Sequence, residues 1–174
     1  MVEFMLIGLP RSGTTWAANF FTTDKLHCKH DPLYTCHYSE WDQSELPAKS
    51  IGVACTGIWR FPDFLKDHPA RKVILHRSLP AVNASLAAIG LPGCTPADVR
   101  ALNALEGLHV DFMDLFDTEG CRSIWSHLTH DRLPFDEVRH DELVQIEMQP
   151  KFSGLKVGKE VTRRLVEELQ GALA

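Results

Sequence analysis

The sequence predicts an α/β fold: a three-layer α/β/α domain built around a mainly parallel sheet. Three observations carry this expectation. Short apolar runs alternate with amphipathic stretches along the chain. Two of the runs, residues 3–9 and Lys72-Val73-Ile74-Leu75-His76, read as buried strands, and each leads directly into a helix start. Strands alternating with helices make βαβ units, whose strands lie parallel.

Taken in order, residues 3–9 form an apolar run closed by Gly8 and Pro10, the pattern of a strand covered on both faces. Residues 14–22 follow as a helix with Ser or Thr at its cap. Residues 25–30 and 51–55 are weaker strand candidates, and Lys72–His76 is a strong one. From Leu79 to Ile89 the spacing puts Leu79, Val82, Leu86 and Ile89 on one helical face, and Gly90 stops it. Thr95-Pro96-Ala97-Asp98 has the form of a capping box with Pro at the first helical position. The helix it opens is expected to run on through Leu102, Leu105, Leu108, Phe112, Leu115 and Phe116 as one apolar stripe. Val161, Leu165, Leu169 and Leu173 repeat every four residues in a last helix, where Glu160/Arg164 and Arg164/Glu168 stand at ion-pair spacing.

The 174 residues contain no internal repeat, low-complexity tract or Gly/Ser linker, so residues 1–174 are expected to form one domain. Apolar residues make up 44% and charged residues 24%, which excludes a disordered, collagenous or membrane-embedded chain. The net charge is −5 with no run of Lys or Arg, so no nucleic-acid partner is expected. The early apolar stretch is too short to span a bilayer, and Glu3 stands where a signal peptide carries positive charge. No membrane partner is expected. Five cysteines (28, 36, 55, 94 and 121) without framework spacing read as reduced thiols in a cytoplasmic protein. His27, Cys28, His30, Cys36 and His37 fit no regular zinc-ligand spacing, so no metal is expected. Trp41, Trp59, Phe61, Phe64 and Trp125 can line an acceptor pocket, although scattered aromatics usually belong to the core.

Parallel sheets bind ligands beyond the carboxyl ends of their strands, which directs attention to the turns at 8–15 and 76–79. Gly8-Leu9-Pro10-Arg11-Ser12-Gly13-Thr14-Thr15 has the G-x-x-x-x-G spacing of a phosphate-binding loop in the strand–turn–helix context such a loop requires. Its departure decides the chemistry. A nucleotide triphosphatase has Lys at position 14, followed by a hydroxyl residue that holds Mg²⁺. Here position 14 is Thr, and the cation has moved into the loop as Arg11, whose planar fork suits a sulfate or phosphate oxygen.

Pro10-Arg11-Ser12-Gly13-Thr14-Thr15-Trp16 resembles the 5′-phosphosulfate loop of the PAPS-dependent sulfotransferases, which reads Pro-[Lys/Arg]-Ser-Gly-Thr-Thr with Trp next in cytosolic members. The resemblance implies a P-loop-type fold, PAPS as co-substrate, PAP as product and no metal. It assigns Arg11, Ser12, Gly13, Thr14, Thr15 and Trp16 to the donor. Trp16 would stack on the adenine, worth about 1–3 kcal/mol, or else be plain core packing. Lys72 to Ser85 is similar to the family's 3′-phosphate element, in which a strand ends in Arg and a Ser lies eight residues later. Arg77 and Ser85 hold that spacing and would pinch one phosphate. Val138-Arg139-His140-Asp141-Glu142-Leu143-Val144 is similar to a structural Val-Arg-Tyr-Glu-Asp-Leu-Val segment of the family, with its acids exchanged.

Sulfuryl transfer needs a base for the acceptor hydroxyl. The cytosolic branch supplies His from the strand before the 3′-phosphate element, but that position falls at Cys55-Thr56. Branches acting on tyrosine or glycans use a carboxylate about twenty residues past the loop cation, and Asp31 stands there with His30 before it. Asp31 is the first candidate for the base and His30 the second, against the reading of Asp31-Pro32 as turn chemistry. His37 and Glu40 come next. The expected activity is sulfuryl transfer from PAPS to a hydroxyl or amine on a small-molecule, glycan or peptide acceptor. A nucleotide kinase or hydrolase and a non-catalytic nucleotide-binding module are the alternatives.

Overall fold

The computed structural model describes residues 1–43, 49–146 and 158–171. Five strands, β1 (Val2–Gly8), β2 (Leu26–His30), β3 (Ser50–Cys55), β4 (Arg71–His76) and β5 (Leu108–Asp111), form one sheet in the order β2-β3-β1-β4-β5. Every pairing is parallel. The helices are α1 (Thr14–Phe20), α2 (Pro62–Asp67), α3 (Leu79–Ala87), α4 (Pro96–Asn103), α5 (Thr118–Thr129), α6 (Glu137–Val144) and α7 (Lys159–Gly171).

The chain moves from β1 outward to β2, then back from β3 across β1 to β4. Right-handed crossovers in opposite directions place their helices on opposite faces. The cores agree. Trp16 and Phe20 of α1 pack with Phe4, Leu6, Val73 and Leu75 on one face, where Ile124 and Trp125 of α5 join them. Leu65 of α2, Val82 and Leu86 of α3 and Leu102 of α4 pack with Met5, Ile7, Val53 and Ile74 on the other. The result is a three-layer α/β/α domain, as the alternating pattern predicts. Burial on both faces explains why Phe4–Ile7 of β1 and Val73–Leu75 of β4 are unbroken apolar runs with no polar alternation.

One expected helix is different. Thr95 does cap α4 through a capping box with Asp98, but the helix stops at Asn103. Gly107, at φ 155°, lays the backbone against β4 so closely that a Cβ there would sit 2.8 Å from the Lys72 carbonyl oxygen. Leu108 to Asp111 then pair with Val73 to His76 as the edge strand. Five of the six apolar residues therefore divide: Leu102 and Leu105 belong to one core, Leu108, Leu115 and Phe116 pack on the other, and Phe112 lines the cavity described below. Helical spacing and strand pairing compete for such a segment, and the sheet edge, which offers unmade hydrogen bonds, wins.

The last helix forms at Lys159–Gly171 with Leu165 and Leu169 on the core, and Leu173 lies outside the described residues. Its ion pairs also differ from the expected ones. Arg163 takes Glu160 and Glu167, whereas Arg164 reaches Glu40 and Glu168 meets His37 and the Tyr38 hydroxyl. These long-range pairs fasten α7 to the segment after β2. All five cysteines are unpaired, and no described helix is long and apolar enough to cross a membrane.

Candidate functional site

The carboxyl ends of β1, β2, β3 and β4 surround a cavity of about 790 Å³. The glycine loop enters it from β1. Gly8 is set by space: a Cβ there would stand 3.2 Å from both the Leu75 carbonyl oxygen and Ser12 Cβ. Gly13 adopts φ 84° beneath Leu115. Between them Arg11 takes φ 70°, a left-handed conformation that costs a non-glycine residue about 1 kcal/mol or more. Asp31, at the end of β2, is left-handed too at φ 42°. Among the described residues, two of the four non-glycine residues with positive φ thus line this one cavity.

Arg11, Gly13, Thr14, Thr15 and Trp16 all contribute to the wall. Ser12 does not: it is fully buried, its N–H closes the turn onto the Leu9 carbonyl, and its hydroxyl has no partner. Trp16 is 3% exposed, stacked on Phe20 at 5.1 Å, with its indole N–H donated to the Leu143 carbonyl at 3.1 Å. It is both a core residue and part of the cavity wall. The segment 138–144 is helix α6, and besides holding Trp16 it sends Arg139 to the carbonyls of Asn19 and Thr22 at the end of α1.

Arg77 follows β4 and lies over the Phe112 ring, Cζ 4.6 Å from its centre. It donates to the Arg11 carbonyl oxygen, and its buried Nε has no hydrogen-bond partner. Burial first, and the nearby charge of Arg11 second, hold its guanidinium below the ordinary value. Ser85 meets Arg11 rather than Arg77, accepting from Arg11 Nε at 2.8 Å. The two anion-binding candidates are therefore one connected group, joined through the Arg11 carbonyl to Arg77 and through the Arg11 side chain to Ser85.

At the end of β2, His30 Nε2 lies 3.4 Å from Thr14 Oγ1, 3.2 Å from Thr15 Oγ1 and 3.3 Å from Asp31 Oδ2. Asp31 Oδ1 is occupied: it accepts from Thr56 N at 2.6 Å and Thr56 Oγ1 at 3.0 Å. Tyr34 stands beside them, its phenol held above the ordinary value by burial first and the Asp31 charge second. His37 and Glu40 lie away from the cavity in the contacts to α7. Trp41, Trp59, Phe61 and Trp125 are buried in the cores, and Phe64 packs partly buried against one of them.

Phe112, Tyr34, Thr56 and Arg60 join the site without any signal in the sequence. Phe112 reaches Arg77 only because β5 pairs with β4, and the other three enter on turns after β2 and β3. Among the described residues no three His, Cys, Asp or Glu side chains come together as a metal-ligating set. No family model, curated protein or solved structure matches the chain.

Proposed function

We propose that the protein is a sulfotransferase that moves the sulfuryl group of PAPS to an acceptor hydroxyl or amine. The observation that carries this reading is the convergence of Arg11 and Arg77 in one cavity, each from its own strand-to-helix turn. Their order and loop sequences resemble those of the family's two phosphate elements. The donor supplies an activated sulfur and a stable leaving group. The chain supplies everything else.

Arg77, which lines the cavity, takes the 3′-phosphate, and Arg11 takes the 5′ end, positioned by Ser85. A guanidinium fixed by such a bond needs little reorganisation as negative charge builds on the oxygen it faces. Asp31 Oδ2 is the proton acceptor, because Oδ1 is already filled by Thr56. His30, 3.3 Å away, orients that oxygen and is the second candidate for the proton. The left-handed backbone at Arg11 and Asp31 supports the reading, since strain of this kind collects at functional sites.

A second reading, a nucleotide-binding module without turnover, draws on the same Asp31. It is 8% exposed with half its carboxylate committed to Thr56, which suits a turn anchor as well as a base. Incubation with PAPS and a panel of phenols, sugars and peptides separates the two. Sulfated product detected by mass supports transfer, and retained PAP binding with no product from any acceptor supports the module.

A further inference from the structure

Arg60 is left over when the donor's two anionic ends are assigned to Arg11 and Arg77. It closes the 3-10 turn Ile58–Arg60 after β3 and lines the same cavity. Trp59 in that turn is buried and donates its indole N–H to the Thr56 carbonyl at 2.9 Å. The Arg60 guanidinium lies over that indole, Cζ 4.3 Å from the ring centre, and is propped from behind. Its acidic neighbour is a loose one. Asp98 Oδ1 is 3.7 Å from Arg60, while Asp98 Oδ2 is taken by Thr95 N at 2.7 Å and Thr95 Oγ1 at 2.8 Å in the cap of α4. Asp98 lines the cavity as well, and Leu86, Leu91 and Pro92 give the cavity an apolar stretch of wall.

Thr56 gives this arginine a fixed relation to the chemistry. Its carbonyl holds Trp59, and its N–H and hydroxyl hold Asp31 Oδ1. One short turn therefore sets the distance between the proton acceptor and a third guanidinium that the donor does not need. A planar guanidinium backed by an aromatic ring is suited to bidentate capture of a carboxylate.

The geometry points to Arg60 as the anchor for a carboxylate on the acceptor, so that the acceptor class is a hydroxyl-bearing organic acid with an apolar body. This inference rests on the sulfotransferase reading. The apolar wall takes the body, Arg60 takes the acid, and the hydroxyl is directed toward Asp31.

The test is calorimetric titration of the full chain, first with PAP and then, PAP-saturated, with 6-hydroxy-2-naphthoate and with 2-naphthol, which differ in the carboxylate alone. Wild type is expected to bind the naphthoate about tenfold more tightly than the naphthol, the scale of one partly exposed charge-assisted contact. Arg60→Gln should bring the two to similar affinity while PAP binding stays as in wild type. PAP binding without preference for the naphthoate overturns the inference alone, and that comparison needs no variant. A preference that survives in folded Arg60→Gln, checked by its PAP binding, overturns it too. Absence of PAP binding by wild type overturns the parent reading and takes this one with it.

Discussion

Arg11 donates from Nε to the Ser85 hydroxyl at 2.8 Å and so ties the loop after β1 to helix α3, 74 residues further along the chain. Since Ser85 acts through Arg11, Ser85→Ala should weaken PAP and adenosine 5′-phosphosulfate by similar amounts, about 1 kcal/mol. Arg77→Ala should act differently, costing PAP about 1.5–3 kcal/mol and sparing adenosine 5′-phosphosulfate, which lacks the 3′-phosphate. Calorimetric titration of both ligands against both variants checks the contrast. Equal losses of both ligands in Arg77→Ala would show that Arg77 does not read the 3′ group.

Asp31 combines a left-handed backbone with two hydrogen bonds accepted from Thr56. Asparagine tolerates that backbone and keeps an oxygen for Thr56. Asp31→Asn should therefore preserve folding and PAP affinity while turnover falls about 10²–10⁴-fold. Asp31→Ala should also lower stability by about 1–3 kcal/mol, because the Thr56 N–H loses its acceptor. Full turnover in Asp31→Asn together with its loss in His30→Ala would exchange the two roles.

Gly52 makes room for a core ring: a Cβ there would lie 2.0 Å from Phe4 Cε2. The ring cannot retreat, since Phe4 is buried between the sheet and α1. Gly52→Ala should cost about 1–3 kcal/mol in urea unfolding, and Phe4→Leu in the same chain should recover part of it. A neutral Gly52→Ala would mean that Phe4 has another rotamer available.

His68, His76 and His127 are each held below the ordinary imidazole value, burial being the first cause in every case. His76 also donates to His109 Nδ1 at 2.7 Å, a direction set by the Leu105 carbonyl, which takes the Nε2–H of His109. The unfolded chain binds these protons near pH 6.5 and the folded chain resists them. Stability from this source is therefore complete above about pH 6.5 and is lost as the pH falls below it. Tm should drop between about pH 7.5 and 5.5, with β5 amides exchanging earlier than those of β3. A rise in Tm over that interval would show that these histidines do not resist protonation in the folded chain.

The sheet was legible because β1 and β4 carry unbroken apolar runs that only a strand buried on both faces uses. The loop was legible because its glycines and Arg11 are contiguous. The edge strand was not. Leu108, Phe112 and Leu115 keep helical spacing, and only the approach of Gly107 to Lys72 decides for β5. Arg60 and Tyr34 were hidden for a related reason. They reach the cavity on turns whose course depends on Thr56 bonding Asp31, a contact between residues 25 apart that no local pattern encodes.

Arg11 and Arg77 are proposed to bind a nucleotide phosphorylated at both 5′ and 3′ positions, with the arginines in place of a metal. Calorimetric titration with PAP in EDTA, beside ATP with Mg²⁺, tests this most directly. Single-site binding of PAP that EDTA leaves unchanged is expected, with no comparable heat from ATP with or without Mg²⁺. Metal-dependent ATP binding, with PAP inert or abolished by EDTA, would contradict it.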